Sequence, residues 1–291
     1  MNKTDYLNPI HKGADPFILL YDDKYYLYAT NAEDGFKVSI SNDLVNWEDK
    51  GYCLEKGDAM GEKWFWAPEV IFLKNKFYMV YTADKHVAVA VADSPLGPFK
   101  QTEMNWLLEY EAIDGHFFCD DDGTVYMYYR HVMDNRICGV KMNDDMKSVI
   151  YDTNTILLIP KESGWERVDP TKLGSEGPFV LKHNGKYYLT YSSNDYTSQD
   201  YAVGCATSDS PLGKYTKYDY PILSKSETAV GTGHHSFTYS KDFKRIICVY
   251  HRHFSLESVE PRMTCIDEAV FKENGELAIL GPTDTIQKSI S

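Results

Sequence analysis

The sequence has few of the features that mark redox, metal-binding or membrane proteins. Its six cysteines lie far apart and form no CxxC pair, which predicts small buried apolar side chains. No apolar run approaches the length of a membrane span, and none follows Met1 as a signal peptide would. These absences predict a cytoplasmic location and no membrane partner.

Positive charge is also scarce. Lys and Arg number 30 against 43 Asp and Glu, which gives a formal net charge of -13. A nucleic-acid partner needs a basic stripe that releases counterions from phosphates, and the sequence contains no such stripe. The charge therefore excludes nucleic acid and favours a neutral or cationic ligand.

Helical patterning is missing as well, because apolar residues do not recur at i, i+3, i+4 and i+7. The chain instead repeats a seven-residue motif of bulky, β-branched and aromatic residues, which is typical of a strand inside a sheet. We call this motif the heptapeptide. Its five copies lie at 24–30, 76–82, 124–130, 186–192 and 245–251.

Successive heptapeptides begin between 48 and 62 positions apart, a spacing typical of repeats that cannot bury a core alone. A short apolar strand and a polar turn precede each copy. A third strand follows and in most copies ends at an Asp-containing turn, and two of these turns share the string Asp-Ser-Pro-Leu-Gly, at 93–97 and 209–213. Five such units predict an all-β, five-bladed β-propeller, formed as a single domain over residues 1–291.

In a propeller the first strand of each blade lies beside the central axis, so equivalent residues from all blades converge on one funnel. Roughly ten residues before each heptapeptide stand Asp15, Glu69, Asp114, Glu176 and His234. A single acid there is equally well explained by a capped turn or a solvated strand end. Four acids together indicate a functional site, because clustered carboxylates repel one another.

The strings at 13–18, 66–70, 112–118, 120–123, 175–178 and 231–236 contain these residues or lie beside them. In this order, they resemble the successive blade motifs of family 43 glycoside hydrolases, from Asp15 to about Gly275. The resemblance implies a five-bladed propeller that hydrolyses O-glycosyl bonds in arabinose- or xylose-containing polysaccharides, with inversion at the anomeric carbon.

Position by position, the resemblance makes Asp15 the general base and Glu176 the general acid. Asp114 would orient that acid and keep its pKa raised. The division suits an inverting glycosidase, in which one carboxylate activates water and one carboxylic acid protonates the leaving oxygen. A neighbouring carboxylate keeps such an acid protonated through like-charge repulsion.

The resemblance also places an axial histidine at His234, where the family often has a hydrated calcium ion in the central channel. A core histidine bonded to backbone is an equal alternative, and His235 stands where asparagine is frequent. His251 and His253 resemble a His-x-His metal pair, but no third ligand is evident, so packing or substrate contact is favoured over zinc. No cofactor is expected to be required, and a structural Ca²⁺ is the one ion considered.

Further residues are expected to contact substrate. Trp66 directly precedes the second inner strand, and its flat apolar face suits the C–H side of a sugar ring. Glu69 follows it on that strand, whereas Trp64 is expected in the core. The family presents an arginine from its last blade to substrate hydroxyls, which favours Arg252, with Arg262 as a structural ion-pair alternative.

The leading hypothesis is an exo-acting or debranching enzyme that releases pentose from hemicellulose- or pectin-derived oligosaccharides. It would be an α-L-arabinofuranosidase or a β-xylosidase, and the lack of an appended β-sandwich weakens the second. An endo-arabinanase, which needs an open groove, is one alternative. A non-catalytic carbohydrate-binding propeller is another, but it predicts the loss of one of the three acids, and all three are present.

Overall fold

The heptapeptides form the second strands of five antiparallel sheets in the computed structural model, which describes residues 5–171 and 174–290. These strands are Lys24–Thr30, Lys76–Ala83, Val125–His131, Lys186–Ser193 and Ile246–Arg252. The inner strands are Ala14–Tyr21, Trp66–Leu73, Ala112–Cys119, Ser175–His183 and Gly233–Tyr239. The third strands are Gly35–Ser41, His86–Ala92, Arg136–Met142, Ala202–Ser208 and Met263–Phe271. We number these sheets as blades 1 to 5.

The outer edges of the blades differ. Blades 1, 3 and 4 end in a fourth strand, at Trp47–Glu55, Val149–Leu158 and Thr216–Lys217. In blade 2 the described residues add only a single bridge, between Val91 and Lys100. The one helix among the described residues is the short 3₁₀ helix Gly164–Arg167, and no helix there is long and apolar enough to cross a membrane.

Blade 5 is completed from both ends of the chain. The early strand His11–Lys12 pairs with Thr264 and Met263, while Leu277–Ile279 pairs with the other end of the same third strand. Each inner strand contacts the inner strand of the next blade, and the fifth contacts the first. The predicted all-β, five-bladed propeller is therefore confirmed, and residues before the first blade help to close its ring.

The core lies between neighbouring blades, because successive residues of a strand point to opposite faces. Tyr26 and Tyr28 pack toward blade 2, whereas Tyr25 and Leu27 pack toward blade 5. Five buried clusters follow this plan, one at each blade-to-blade interface. Each fully buried large apolar side chain contributes about 1.5–3 kcal/mol, so the heptapeptides hold the ring together.

Candidate active site

Each inner strand is irregular near its first residues, where its register with the second strand shifts. One residue in each shift has a left-handed backbone: Asp15, Ala67, Asp114, Gly177 and His234, with φ between 43° and 59°. Such bulges take a residue out of the hydrogen-bond ladder and re-aim its side chain. A left-handed backbone is costly for residues other than glycine, and such strain is concentrated at functional sites.

The backbone N–H of each left-handed residue is satisfied across the blade boundary. In four blades the acceptor is the last side chain of the preceding heptapeptide, at 2.8–3.1 Å: His251 for Asp15, Thr30 for Ala67, Thr82 for Asp114 and Ser192 for His234. The remaining heptapeptide, at 124–130, ends in Arg130, which has no acceptor, and the Gly177 N–H binds Asp114 Oδ2 at 3.0 Å instead. The repeated hydrogen bond thus positions the site residues, and it is missing at one blade boundary, where the heptapeptide ends in Arg130.

Asp15 is buried among cationic and hydrogen-bonding groups. Arg262 Nη1 donates to its Oδ1 at 3.0 Å, His234 Nδ1 lies 3.3 Å from the same oxygen, and Thr30 donates to Oδ2 at 2.6 Å. Burial alone would raise the pKa of Asp15, but Arg262, His234 and His251 outweigh it and hold that pKa well below its ordinary value. The carboxylate is therefore ionised and acts only as an acceptor.

Asp114 has the opposite electrostatic environment. Burial raises the pKa of its carboxyl group to about 6. His234 opposes this rise, and the negative charges of Glu176 and Asp15 add to it. The role of Asp114 as the modulator of the neighbouring acid stays a prediction.

Glu176 receives hydrogen bonds on both carboxylate oxygens. Arg130 Nη1 donates to Oε2, and the Tyr201 hydroxyl donates to Oε1 at 2.8 Å. The carboxylate is only about 13% exposed, so these contacts fix its orientation inside the protein. Neither donor was predicted from the sequence.

The structure brings Asp15, Asp114 and Glu176 together in one cavity of about 260 Å³ at the axis. Their charges are balanced there by Arg130, Arg262 and His234. The remaining lining residues are Trp66, Ile113, Asp195 and Tyr196. Trp66 and Tyr196 supply aromatic surface, which, with these polar groups, is the composition that a sugar site requires.

Glu69 lies outside this cavity, and its predicted place among the convergent acids is wrong. Its Oε2 is 2.7 Å from His116 Nδ1, and both side chains line the cavity at the other end of the channel. The residue equivalent to Asp15 in blade 2 is Ala67, because the bulge fixes equivalence more closely than a count back from the heptapeptide.

The site arginine of the last blade is Arg262, and the preference for Arg252 is wrong. The Arg252 Nε atom is buried without a hydrogen-bond partner in the described structure, and this side chain does not line the carboxylate cavity. Arg262 lies just before the third strand, where the Gly13 N–H binds its carbonyl oxygen and holds it beside Asp15. Its guanidinium also lies 4.5 Å from the centre of the Tyr196 ring.

The two histidines of the His-x-His pair do not converge. His251 Nδ1 accepts the Asp15 N–H at 3.1 Å, and burial lowers its pKa to about 3, so the ring is neutral. His253 lies one residue beyond the strand and faces the Tyr196 carbonyl oxygen at 2.8 Å. The strand ends before the pair can share a face, which argues against a zinc pair.

A hydrated calcium ion beside His234 stays a prediction, because calcium takes about six to eight oxygen ligands and waters can be among them. The oxygen nearest its Nδ1 is Asp15 Oδ1, which already accepts a hydrogen bond from Arg262. Burial would lower the pKa of His234, but Asp15, Asp114 and Glu176 raise it above its ordinary value. Among residues 5–171 and 174–290, no cluster of three His, Cys, Asp or Glu side chains could hold a metal.

Trp64 is also misplaced by the sequence analysis, which expected it in the core. It is 42% exposed and stacks on Trp66, with ring centroids 5.9 Å apart and planes 21° apart. Lys63 Nζ lies 4.1 Å from the Trp64 ring centre and forms a cation–π contact with it. Trp64 therefore supports the aromatic wall of the cavity from outside.

Five lining or contacting residues were missed: Ile113, Arg130, Asp195, Tyr196 and Tyr201. Arg130 had a visible signal, because it ends a heptapeptide whose other copies end in Thr, Ser or His. Tyr196 and Tyr201 lie in the connection after Lys186–Ser193, whose path no periodic pattern predicts.

The fold and the carboxylate pocket define a glycoside hydrolase of the propeller class. The chain belongs to glycosyl hydrolases family 43, whose model matches residues 6–277.

Similar proteins carry several activities in their names. The crystal structure of an endo-1,4-beta-xylanase from Bacteroides thetaiotaomicron matches with a TM-score of 0.89 and 36% identity, covering 98% of this chain and 99% of that one. Beta-D-galactofuranosidase xynD from Aspergillus niger is 29% identical over 93% of this chain and 83% of its own length. A beta-xylosidase from Xylanibacter ruminicola is 28% identical, over 82% and 88% respectively. The three names are thus those of a xylanase, a galactofuranosidase and a xylosidase.

Proposed function

We propose that this glycoside hydrolase is an inverting, exo-acting enzyme that releases a terminal pentose, as a β-xylosidase or an α-L-arabinofuranosidase. The observation that carries the proposal is the meeting of Asp15, Asp114 and Glu176 in one small cavity. The names xylanase and xylosidase among similar proteins support a pentose substrate.

Asp15 is the proposed general base. Its low pKa keeps it ionised, so it can accept a proton from water over the whole working range of pH. The cations that lower its pKa also weaken it as a base. We therefore expect Arg262 and His234 to hold the Asp15 carboxylate in position. The water that gives its proton to this carboxylate is the nucleophile.

Glu176 is the proposed general acid, and Asp114 its neighbouring modulator. Glu176 directly precedes Gly177, whose N–H binds Asp114 Oδ2, so the two carboxyl groups are linked through one peptide unit. Protonation of Asp114 below about pH 6 removes one negative charge from the pocket. The charge next to the proposed acid therefore depends on pH.

The size of the cavity supports exo action. Sites for drug-sized ligands occupy roughly 300–1,000 Å³, and a cavity of about 260 Å³ suits one monosaccharide. A larger cavity of about 630 Å³ shares Arg262 with the pocket and includes Ala14 and Thr30, both beside Asp15. This larger cavity offers room for the rest of the substrate. It is the observation that makes endo action the second candidate.

Para-nitrophenyl β-D-xylopyranoside, α-L-arabinofuranoside and β-D-galactofuranoside would be compared with linear oligosaccharides. We expect a pentoside to be preferred, free pentose as the first product, and NMR to show an anomeric configuration opposite to that of the substrate. Oligosaccharides as first products would favour the endo candidate. Retained configuration would contradict the assignment of Asp15 as a base that activates water.

A further inference from the structure

Arg130 interrupts the repeat that positions the site. The last side chains of the other four heptapeptides each accept a hydrogen bond from a left-handed N–H of the next blade. A guanidinium has donors only and cannot take this part. The side chain instead lines the cavity and donates from Nη1 to Glu176 Oε2.

The Arg130 guanidinium is held from its other side as well. Its Nη2 donates to Asn135 Oδ1, and the side chain is 16% exposed. A Cβ atom at Gly174 would lie 3.8 Å from both terminal nitrogens, so the backbone passes close to the guanidinium plane. An ion pair this enclosed has a fixed geometry, and loss of one partner leaves the other charge uncompensated.

Tyr201 holds the second oxygen of the same carboxylate. It is fully buried, and its ring stacks on His251 with planes 14° apart. Burial, with the nearby acids, raises the pKa of Tyr201 well above its ordinary value, so the hydroxyl remains a donor. Both carboxylate oxygens of Glu176 are thus oriented by rigid neighbours from two different blades.

We infer that Arg130 is a positioning residue for the reaction, which with Tyr201 aims the Glu176 carboxyl group at the leaving-group oxygen. The inference rests on the proposed role of Glu176 as the general acid. Because Arg130 also lines the cavity, direct binding of a substrate hydroxyl is the competing role. The two roles predict a different dependence on the leaving group for the activity that is lost when Arg130 is replaced.

The test compares a disaccharide, whose alkoxide leaving group needs a proton, with a dinitrophenyl glycoside, whose phenolate leaves unprotonated. Arg130→Met should lower kcat/KM about 100-fold on the disaccharide, the cost of roughly 1 Å of misplacement, and less than about 5-fold on the aryl glycoside. Arg130→Lys should recover part of the loss. In a Glu176→Gln background, Arg130→Met should add nothing on either substrate, because residues that act as a unit are not additive.

Two further variants guard against a folding defect. Tyr201→Phe removes only the hydroxyl on Oε1 and should show the same dependence on the leaving group, to a smaller degree. Arg136→Met, in the same blade, removes an arginine that is 37% exposed and pairs with Asp134, and it should change neither substrate. Thermal unfolding would show that each variant is folded.

Equal losses on both substrates for Arg130→Met, or additive losses in the double variant, would overturn the inference and assign Arg130 to substrate binding. If Glu176→Gln alone impairs both substrates equally, the proposed acid is wrong, and the inference falls with it. The single and double variants therefore separate the two failures.

Discussion

The two ends of the central channel are built from the same five inner strands but differ in chemistry. One end holds four carboxylates with two arginines and a histidine. The other is a cavity of about 400 Å³, where each inner strand contributes a phenylalanine: Phe17, Phe72, Phe117, Phe179 and Phe237. Only a few residues of strand separate the two.

The difference follows from where each strand becomes regular. The charged side chains sit at the bulges, where pairing is broken and the backbone is left-handed. Beyond the bulge the ladders resume and include pairs such as Phe17 with Tyr28 and Phe237 with Cys248, where packing selects apolar residues. The bulges and the carboxylate cluster thus lie at one end of the channel, and at the other end the phenylalanines lie beside the Glu69–His116 pair.

The sharpest test of this comparison is Asp15→Asn. Loss of the general base should lower kcat by about 10³-fold or more on every substrate, whatever its leaving group, because water is no longer activated. The disaccharide and dinitrophenyl glycoside assays would measure it. A loss confined to the disaccharide would contradict the assigned role.

Asp22→Asn is a matched control for that variant. Asp22 is also left-handed, with φ 48°, but lies exposed in the turn between the first two strands of blade 1. Its replacement should leave both activities unchanged. A comparable loss there would mean that the asparagine substitution acts through the blade rather than through the pocket.

Asp114→Asn should reduce activity less, by about 10- to 100-fold, and should stabilise the protein above pH 6. The folded-state pKa of about 6 exceeds the ordinary value of 3.8, so the folded protein binds this proton more tightly than the unfolded chain. Its contribution to stability is therefore full below pH 3.8 and is lost as pH rises toward 6.

Asparagine cannot ionise and can still accept the Gly177 N–H. Urea unfolding of both proteins across this range should show the variant gaining on the order of 3 kcal/mol relative to wild type as pH rises. A constant difference at all pH values would indicate that Asp114 does not titrate in the folded protein.

The fold was largely predictable, because the heptapeptides bury alternate residues against opposite neighbours and so leave a clear pattern. Closure of blade 5 by His11–Lys12 was not, since a two-residue strand has no periodicity to detect. Blade 2 also lacks a regular fourth strand among the described residues, and no sequence feature indicated this.

The site was predictable where acidic residues stand at equivalent positions of the repeat, as for Asp15, Asp114 and Glu176. It was not predictable where a bulge shifts the strand, which moved Glu69 out of the pocket. It also failed where loops decide the geometry, as for Arg262 and Tyr196. Arg130 shows that a departure from a repeat can indicate a site residue as well as the repeat itself does.

The smallest expected effect belongs to Glu69→Gln, which tests whether the two ends of the channel are functionally separate. Glu69 pairs with His116 at the apolar end, and its side chain is 17% exposed. Glutamine keeps the volume and an oxygen that can accept from His116. We expect kcat/KM within about 3-fold of wild type on both substrates, and a loss of stability of about 1–3 kcal/mol from the weaker buried contact.

Trp66→Ala provides the contrast for that measurement, since Trp66 is on the same strand only three residues earlier and lines the carboxylate cavity. Its loss should raise KM while the protein stays folded, because the wall that faces the sugar ring is removed. If Glu69→Gln raised KM about as much, Glu69 would affect substrate binding without touching the substrate, which would partly restore the expectation from the sequence. The two ends of the channel would then differ in structure but not in function, because catalysis at the carboxylate end would depend on packing at the phenylalanine end.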